Sequence, residues 1–333
     1  MPYRLALILL SATLAGCAAR RAEAPRPAVE PPVAAPDVSG AAPSAAEATF
    51  TFAPPDGLVC QERRRQTVVK DAGKAGGTTE DVSDAVVRHR MARARDGWRL
   101  TSTMLSAQVS RNGTPVSEPV TAALVGREVV YVLAPDGSLR EVRGLEDLGE
   151  AATRGVAPEM HAALRAMLDP ATLERREKMD WQRRIGDLAG RRVQAGEVWE
   201  GQAELAGQGA ATSLVTLTRF TRIEPRGDRT VVTIDFAYAG DRETAQRRLE
   251  QADPGAERRR SSGARDRESD AGRAVVVGDG SRVIEAGTMT VLSERLRQVT
   301  VAPTDLAGVG RVQVRRTDVR ESVYDCAVAA RTR

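Results

Sequence analysis

The sequence predicts a mainly β protein: a curved antiparallel sheet or open barrel with one or two packed helices, an α+β layout being the alternative. Three observations carry that expectation. Runs rich in Val, Thr, Ile and Tyr recur from about residue 58 to 326, punctuated by Gly, Asn, Asp and Pro. Only the stretch 158–188 carries apolar residues at helical spacing. Two cysteines, Cys60 and Cys326, stand at the two ends of the β-rich region.

The strands follow in order. Val86 to Ala94 and Trp98 to Ser106 flank Asp96-Gly97, a hairpin signal. Arg111-Asn112-Gly113 marks another turn. Val129 to Leu133, then Pro135-Asp136-Gly137, then Leu139 to Val142 read as strand, tight turn and strand. Leu214 to Ile223 and Arg229 to Tyr238 form a second hairpin about Pro225-Arg226-Gly227-Asp228. In its return strand Val232, Ile234, Phe236 and Tyr238 alternate with Val231, Thr233, Asp235 and Ala237, so one face is more apolar. Further strands are expected near 274–277, 281–285, 288–301 and 311–326.

The helical segment has its own punctuation. Pro158 suits a first helical position, and Met160, Leu164, Met167 and Leu168 follow on one face. Asp169-Pro170 reads as a cap and first turn of a second helix carrying Leu173, Trp181 and Ile185. The stripe Met160, Leu164, Met167 and Leu168 either packs on the sheet or faces a ligand cavity. Residues 241–273 differ again. Seventeen of those 33 residues are charged, too many for a core, which predicts a solvated, mobile insertion, helical near 242–252.

Composition narrows the function classes. The chain of 333 residues is 41% hydrophobic but only 3% aromatic, so its core is built mainly of aliphatic side chains. A net charge of +4 is mild for that length and argues against a nucleic-acid partner. Lysine occurs only at Lys70, Lys74 and Lys178. The arginine excess, alongside abundant alanine, reads as compositional bias rather than special chemistry.

The N-terminus gives an address. Arg4 opens a short apolar run from Leu5 to Leu14, the length of a signal segment and too short to span a bilayer. It ends at Leu14-Ala15-Gly16-Cys17, which resembles the lipobox of bacterial lipoproteins. That resemblance implies cleavage after residue 16, lipid on Cys17 and a membrane anchor of several acyl chains. Ala18, where enteric bacteria use Asp for inner-membrane retention, leans toward the outer membrane, facing the periplasm. Residues 17–57 carry many Ala and Pro and no apolar period, and are expected to form a disordered tether. The globular domain is expected to span 58–333.

With Cys17 lipidated, Cys60 and Cys326 remain as a pair in an oxidising compartment, and a disulfide between them is expected. It would make the first and last strands neighbours. No catalytic site is legible. His89 and His161 are the only histidines, with no metal-ligand spacing and no nucleophile motif near either. Gly207-Gln208-Gly209, Gly278-Asp279-Gly280 and Gly308-Val309-Gly310 lack the frame of phosphate loops and read as turns. No metal, cofactor or enzymatic activity is expected. Beyond the lipobox the chain resembles envelope lipoproteins only loosely, and some lipoprotein carriers share a half-barrel with a helical lid. Two roles stay open. One is an interaction module presented to an envelope protein. The other is a carrier of a lipid or other apolar ligand.

Overall fold

A computed structural model describes residues 46–73, 76–205, 212–252, 275–306 and 310–328. The protein is mainly β, as expected. A short β1 (Glu47–Thr49) pairs antiparallel with β8 (Arg192–Gln194) as a separate two-stranded sheet. All other strands join one twelve-stranded antiparallel sheet. One wing is built from β2 (Leu58–Asp71), β3 (Thr78–Ala94), β4 (Gly97–Arg111), β6 (Glu128–Leu133) and β7 (Leu139–Arg143), with β5 (Thr114–Val116) folded back on β4. The other wing is built from β9 (Val198–Leu205), β10 (Thr212–Arg226), β11 (Arg229–Ala239), β12 (Val275–Glu285), β13 (Thr290–Leu306) and β14 (Gly310–Val328).

The spatial order is β7-β6-β4-β3-β2-β14-β13-β12-β11-β10-β9, so the sheet is open and the two wings join where β2 meets β14. Cys60 stands directly opposite Cys326 in that pair, and the two form a disulfide. Bulges at Val86/Val87, Phe220/Arg222 and Val283/Ile284 bend the long strands.

The expected hairpins form at their turns. Asn112 and Gly113 both take positive φ, as a two-residue hairpin turn demands. One expected turn does not form. Gly278-Asp279-Gly280 lies in the middle of β12, which runs unbroken from Val275 to Glu285. Its glycines sit opposite Tyr238 and Phe236, whose rings occupy the space a Cβ would need. Bare backbone on one strand makes room for aromatic rings on the next.

The fold also starts earlier than residue 58. Phe50 is fully buried and Phe52 packs on Gly137, so residues 47–57 belong to the globular unit and not to the tether. The alternation Thr49-Phe50-Thr51-Phe52 is what draws this segment in. The leader, Cys17 and the tether up to residue 45 lie outside the described residues, as does 253–274 of the charged insertion.

Helices are short, and there are more of them than expected. They are α1 (Pro119–Leu124), α2 (Leu148–Thr153), α3 (His161–Met167), α4 (Pro170–Trp181) and α5 (Arg242–Gln251). Asp169 caps α4 by accepting from the Thr172 amide at 2.9 Å, and Asp241 caps α5 through Thr244 at 2.8 Å. α4 continues into a π turn, Gln182–Gly186. α5 packs Ala245 and Leu249 on Leu217, Ala237, Val277 and Val299, on the outer face of the second wing.

Candidate functional site

Strand alternation decides which side chains face inward from the first wing. They include Cys60, Glu62 and Arg64 of β2, Val87, His89 and Met91 of β3, and Leu100, Ser102 and Met104 of β4. Val129 and Tyr131 of β6 and Arg320 and Tyr324 of β14 extend the same surface. α4 and its π turn lie over it and contribute Glu177, Asp180, Trp181, Arg184 and Ile185. Together they enclose a cavity of about 340 Å³, within the range of small-ligand sites.

The cover is tied to the sheet by specific bonds. Tyr131 donates to Glu177 Oε2 at 2.9 Å, and the Trp181 indole donates to the Gly137 carbonyl at 2.8 Å. Trp181 also stacks on Tyr131, with ring centroids 6.2 Å apart. Arg184 donates to the Tyr324 hydroxyl at 3.1 Å and pairs with Glu294 at 3.1 Å. Removing the helix would therefore strand several buried polar groups.

The lining has two characters. On β4 and β6 it is apolar, through Leu100, Met104, Val129 and the Tyr131 ring. On β2 and β14 it is charged. Glu62 receives Arg64 through two bonds of 2.9 Å and His89 Nε2 at 3.0 Å. Burial alone would raise its carboxyl, but Arg64 and then His89 hold it well below the usual carboxylate range. Behind this wall Glu294 meets Arg282, Arg184 and Arg320 at 2.5, 3.1 and 3.6 Å. Burial again opposes ionisation, and the three arginines, Arg184 foremost, hold Glu294 well below its ordinary value. Glu177 goes the other way: burial pushes it up, and Asp180 adds to that.

His89 links Glu62 to Ser102, its Nδ1 lying 2.9 Å from the serine Oγ. A carboxylate can only accept, so Nε2 donates to Glu62. The order serine, histidine, carboxylate is that of an activated nucleophile. Ser102 pairs with His89 on one side and Val129 on the other, so the backbone around it is committed to the ladder.

The residues expected to matter are distributed as follows. Cys60 is in the cavity wall, bonded to Cys326. Leu164 and Leu168 are fully buried in a separate cluster with Leu148, Leu173 and Val142, and Met167 packs against it. Met160 is half-buried, and none of these four lines the cavity. The helix that does cover it is α4, one element further on. His161 bonds the Val156 carbonyl at 2.9 Å. Among the described residues no group of His, Cys, Asp and Glu is placed to hold a metal ion.

No protein-family model and no curated protein matches the chain. Among solved structures, lipovitellin, described for its lipid–protein interactions, is similar at TM-score 0.43 and 8% identity. That match covers 84% of this chain and 26% of the other, so this chain spans about a quarter of its length. A protein described as exported, with a YmcC-like fold, from Bacteroides fragilis is similar at TM-score 0.24 and 11% identity, over 83% of this chain and 97% of that one. OccK2 (OpdF) of Pseudomonas aeruginosa gives TM-score 0.17 and 8% identity, over 84% and 100%. At these values the likenesses carry no functional argument; the residues of the cavity must carry it.

Proposed function

We propose that this protein is an exported, lipid-anchored binding protein that holds an apolar-chained ligand between its sheet and helix α4, without transforming it. The observation that carries the reading is the cavity of about 340 Å³ lined by Leu100, Met104, Val129, Tyr131 and Trp181. A concave, largely apolar space of this size with a few polar groups at one side is the usual form of a small-ligand site. Of the two roles the sequence leaves open, carrier and interaction module, the cavity favours the carrier.

Export is supported by the apolar leader and by the Cys60–Cys326 disulfide, a bond that persists in oxidising compartments. The lipobox supports an anchor at Cys17, and the Ala/Pro segment supports a tether that holds the domain off the membrane. An outer-membrane, periplasm-facing position fits Ala18. The non-enzymatic part of the reading is supported by the ladder-bound backbone around Ser102.

Native mass spectrometry of the exported chain, followed by solvent extraction, tests the reading. A stoichiometric bound amphiphile is expected. A chain that stays ligand-free and takes up no acyl compound on incubation contradicts it.

A further inference from the structure

We infer that the polar end of the ligand is an oxyanion, a carboxylate or phosphate, seated against Arg184 and Arg320 at the charged wall of the cavity. The inference rests on the binding reading above and names the class of molecule bound.

Charge comes first. Around this wall five guanidinium groups, Arg64, Arg183, Arg184, Arg282 and Arg320, meet four carboxyl groups, Glu62, Glu177, Asp180 and Glu294. Burial shifts one of the four, Glu177, toward its neutral form. The wall is therefore net positive in a place where unbalanced charge is costly.

Acceptors are also short. Nε of Arg184 and both Nε and Nη2 of Arg320 are buried without a hydrogen-bond acceptor among the described residues. Among the described residues that Nη2 has Glu294 as its ion-pair partner, at 3.6 Å, and Glu294 already serves Arg282 and Arg184. Donors left in this condition call for an ion or a water. An oxyanion supplies negative charge and acceptors together, and its planar or forked oxygens match a guanidinium.

Placement agrees with both. Arg320 stands on β14, and Leu100 and Met104 at the far end of the apolar lining stand on β4, three strands away in the sheet order. At roughly 4.8 Å per strand the two are about 14 Å apart, the reach of a medium-length acyl chain. A head at the arginines would lay its chain toward Leu100, Met104 and Val129.

The test is displacement of a neutral apolar dye, N-phenyl-1-naphthylamine, from the full exported chain. Dodecanoate and dodecyl phosphate are expected to displace it at concentrations about tenfold or more below that of dodecanol, while inorganic phosphate alone displaces nothing. Arg320→Gln should bring dodecanoate to the level of dodecanol and leave dodecanol unchanged. Equal displacement by dodecanol and dodecanoate in the unaltered chain overturns the oxyanion and leaves the binding reading standing. Failure of the dye and of every dodecyl compound to bind overturns both. Competition by inorganic phosphate as strong as that of dodecyl phosphate means a free-anion site and overturns the headed-chain ligand. The ligand series in the unaltered chain decides the matter even if Arg320→Gln does not fold.

Discussion

The two wings of one sheet treat their inner faces in opposite ways. On β10, β11 and β12, Phe220, Ile223, Val232, Ile234 and Ile284 meet Phe50, Leu188 and Val193 in a close-packed cluster. On β2, β3 and β4, the same side of the sheet faces α4 across an unfilled space bordered by Glu62, Arg64 and His89. Both wings carry bulges, both are antiparallel, and both draw on the same aliphatic-rich composition. Scarcity of aromatic residues therefore does not account for the gap, because the second wing fills its face with the same alphabet. The contrast instead locates binding: one wing supplies rigidity and the other supplies room.

The bond that joins the wings should matter most. Cys60 and Cys326 are 266 residues apart in sequence. Closing such a loop contributes roughly 5 kcal/mol in the chain-entropy model. Cys60→Ala with Cys326→Ala should lower the urea midpoint accordingly, and a variant as stable as the parent would mean that β2 and β14 need no tie.

Core truncation sharpens the comparison next. Phe220→Ala in the packed wing should cost about 3–5 kcal/mol in chemical unfolding. Leu100→Ala, which already borders empty space, should cost about 2 kcal/mol or less. Equal losses would mean that the two wings are packed alike.

Acid should act through the cavity wing. Glu62 and Glu294 are held below their ordinary value of 4.5 in the folded chain. Their contribution is present above that value and is lost as pH falls through the folded-state pKa. Glu177 is raised, so its own small effect has the opposite sign and fades as pH rises. Melting temperature should therefore drop between about pH 5 and pH 3, and a flat profile would contradict the paired carboxylates. The smallest effect belongs to Ser102→Ala. It removes one hydrogen bond, the one to His89, and should change stability by about 1 kcal/mol or less. An esterase signal lost in that variant would contradict the non-enzymatic reading.

Much of the fold was legible, and for local reasons. Asp96-Gly97, Asn112-Gly113 and Gly227 mark hairpins because positive φ favours those residue types. The adjacency of the first and last long strands followed from two cysteines alone. Gly278 and Gly280 misled because a glycine pair signals a turn locally, and only the neighbouring strand reveals the rings of Tyr238 and Phe236 above them. The site was less legible. Its residues come from six strands and two helices, so no linear motif joins Glu62, His89, Ser102, Arg184 and Arg320. A partial signal was present in β2, where Cys60, Glu62, Arg64 and Gln66 share one face. The strand that carries the disulfide cysteine carries charged side chains on the same face.

Two tryptophans offer the most direct test, one on the helix over the first wing and one in the second wing. Trp181 lines the cavity, whereas Trp199 packs on Phe220 with ring centroids 4.5 Å apart. Chains retaining only one of them, made with Trp98→Phe and either Trp199→Phe or Trp181→Phe, would be titrated with a brominated fatty acid that quenches indole emission on contact. Saturable quenching of Trp181 at one equivalent, with Trp199 unaffected, is the expected result. Equal quenching of both, or of neither, would contradict a binding cavity confined to the first wing.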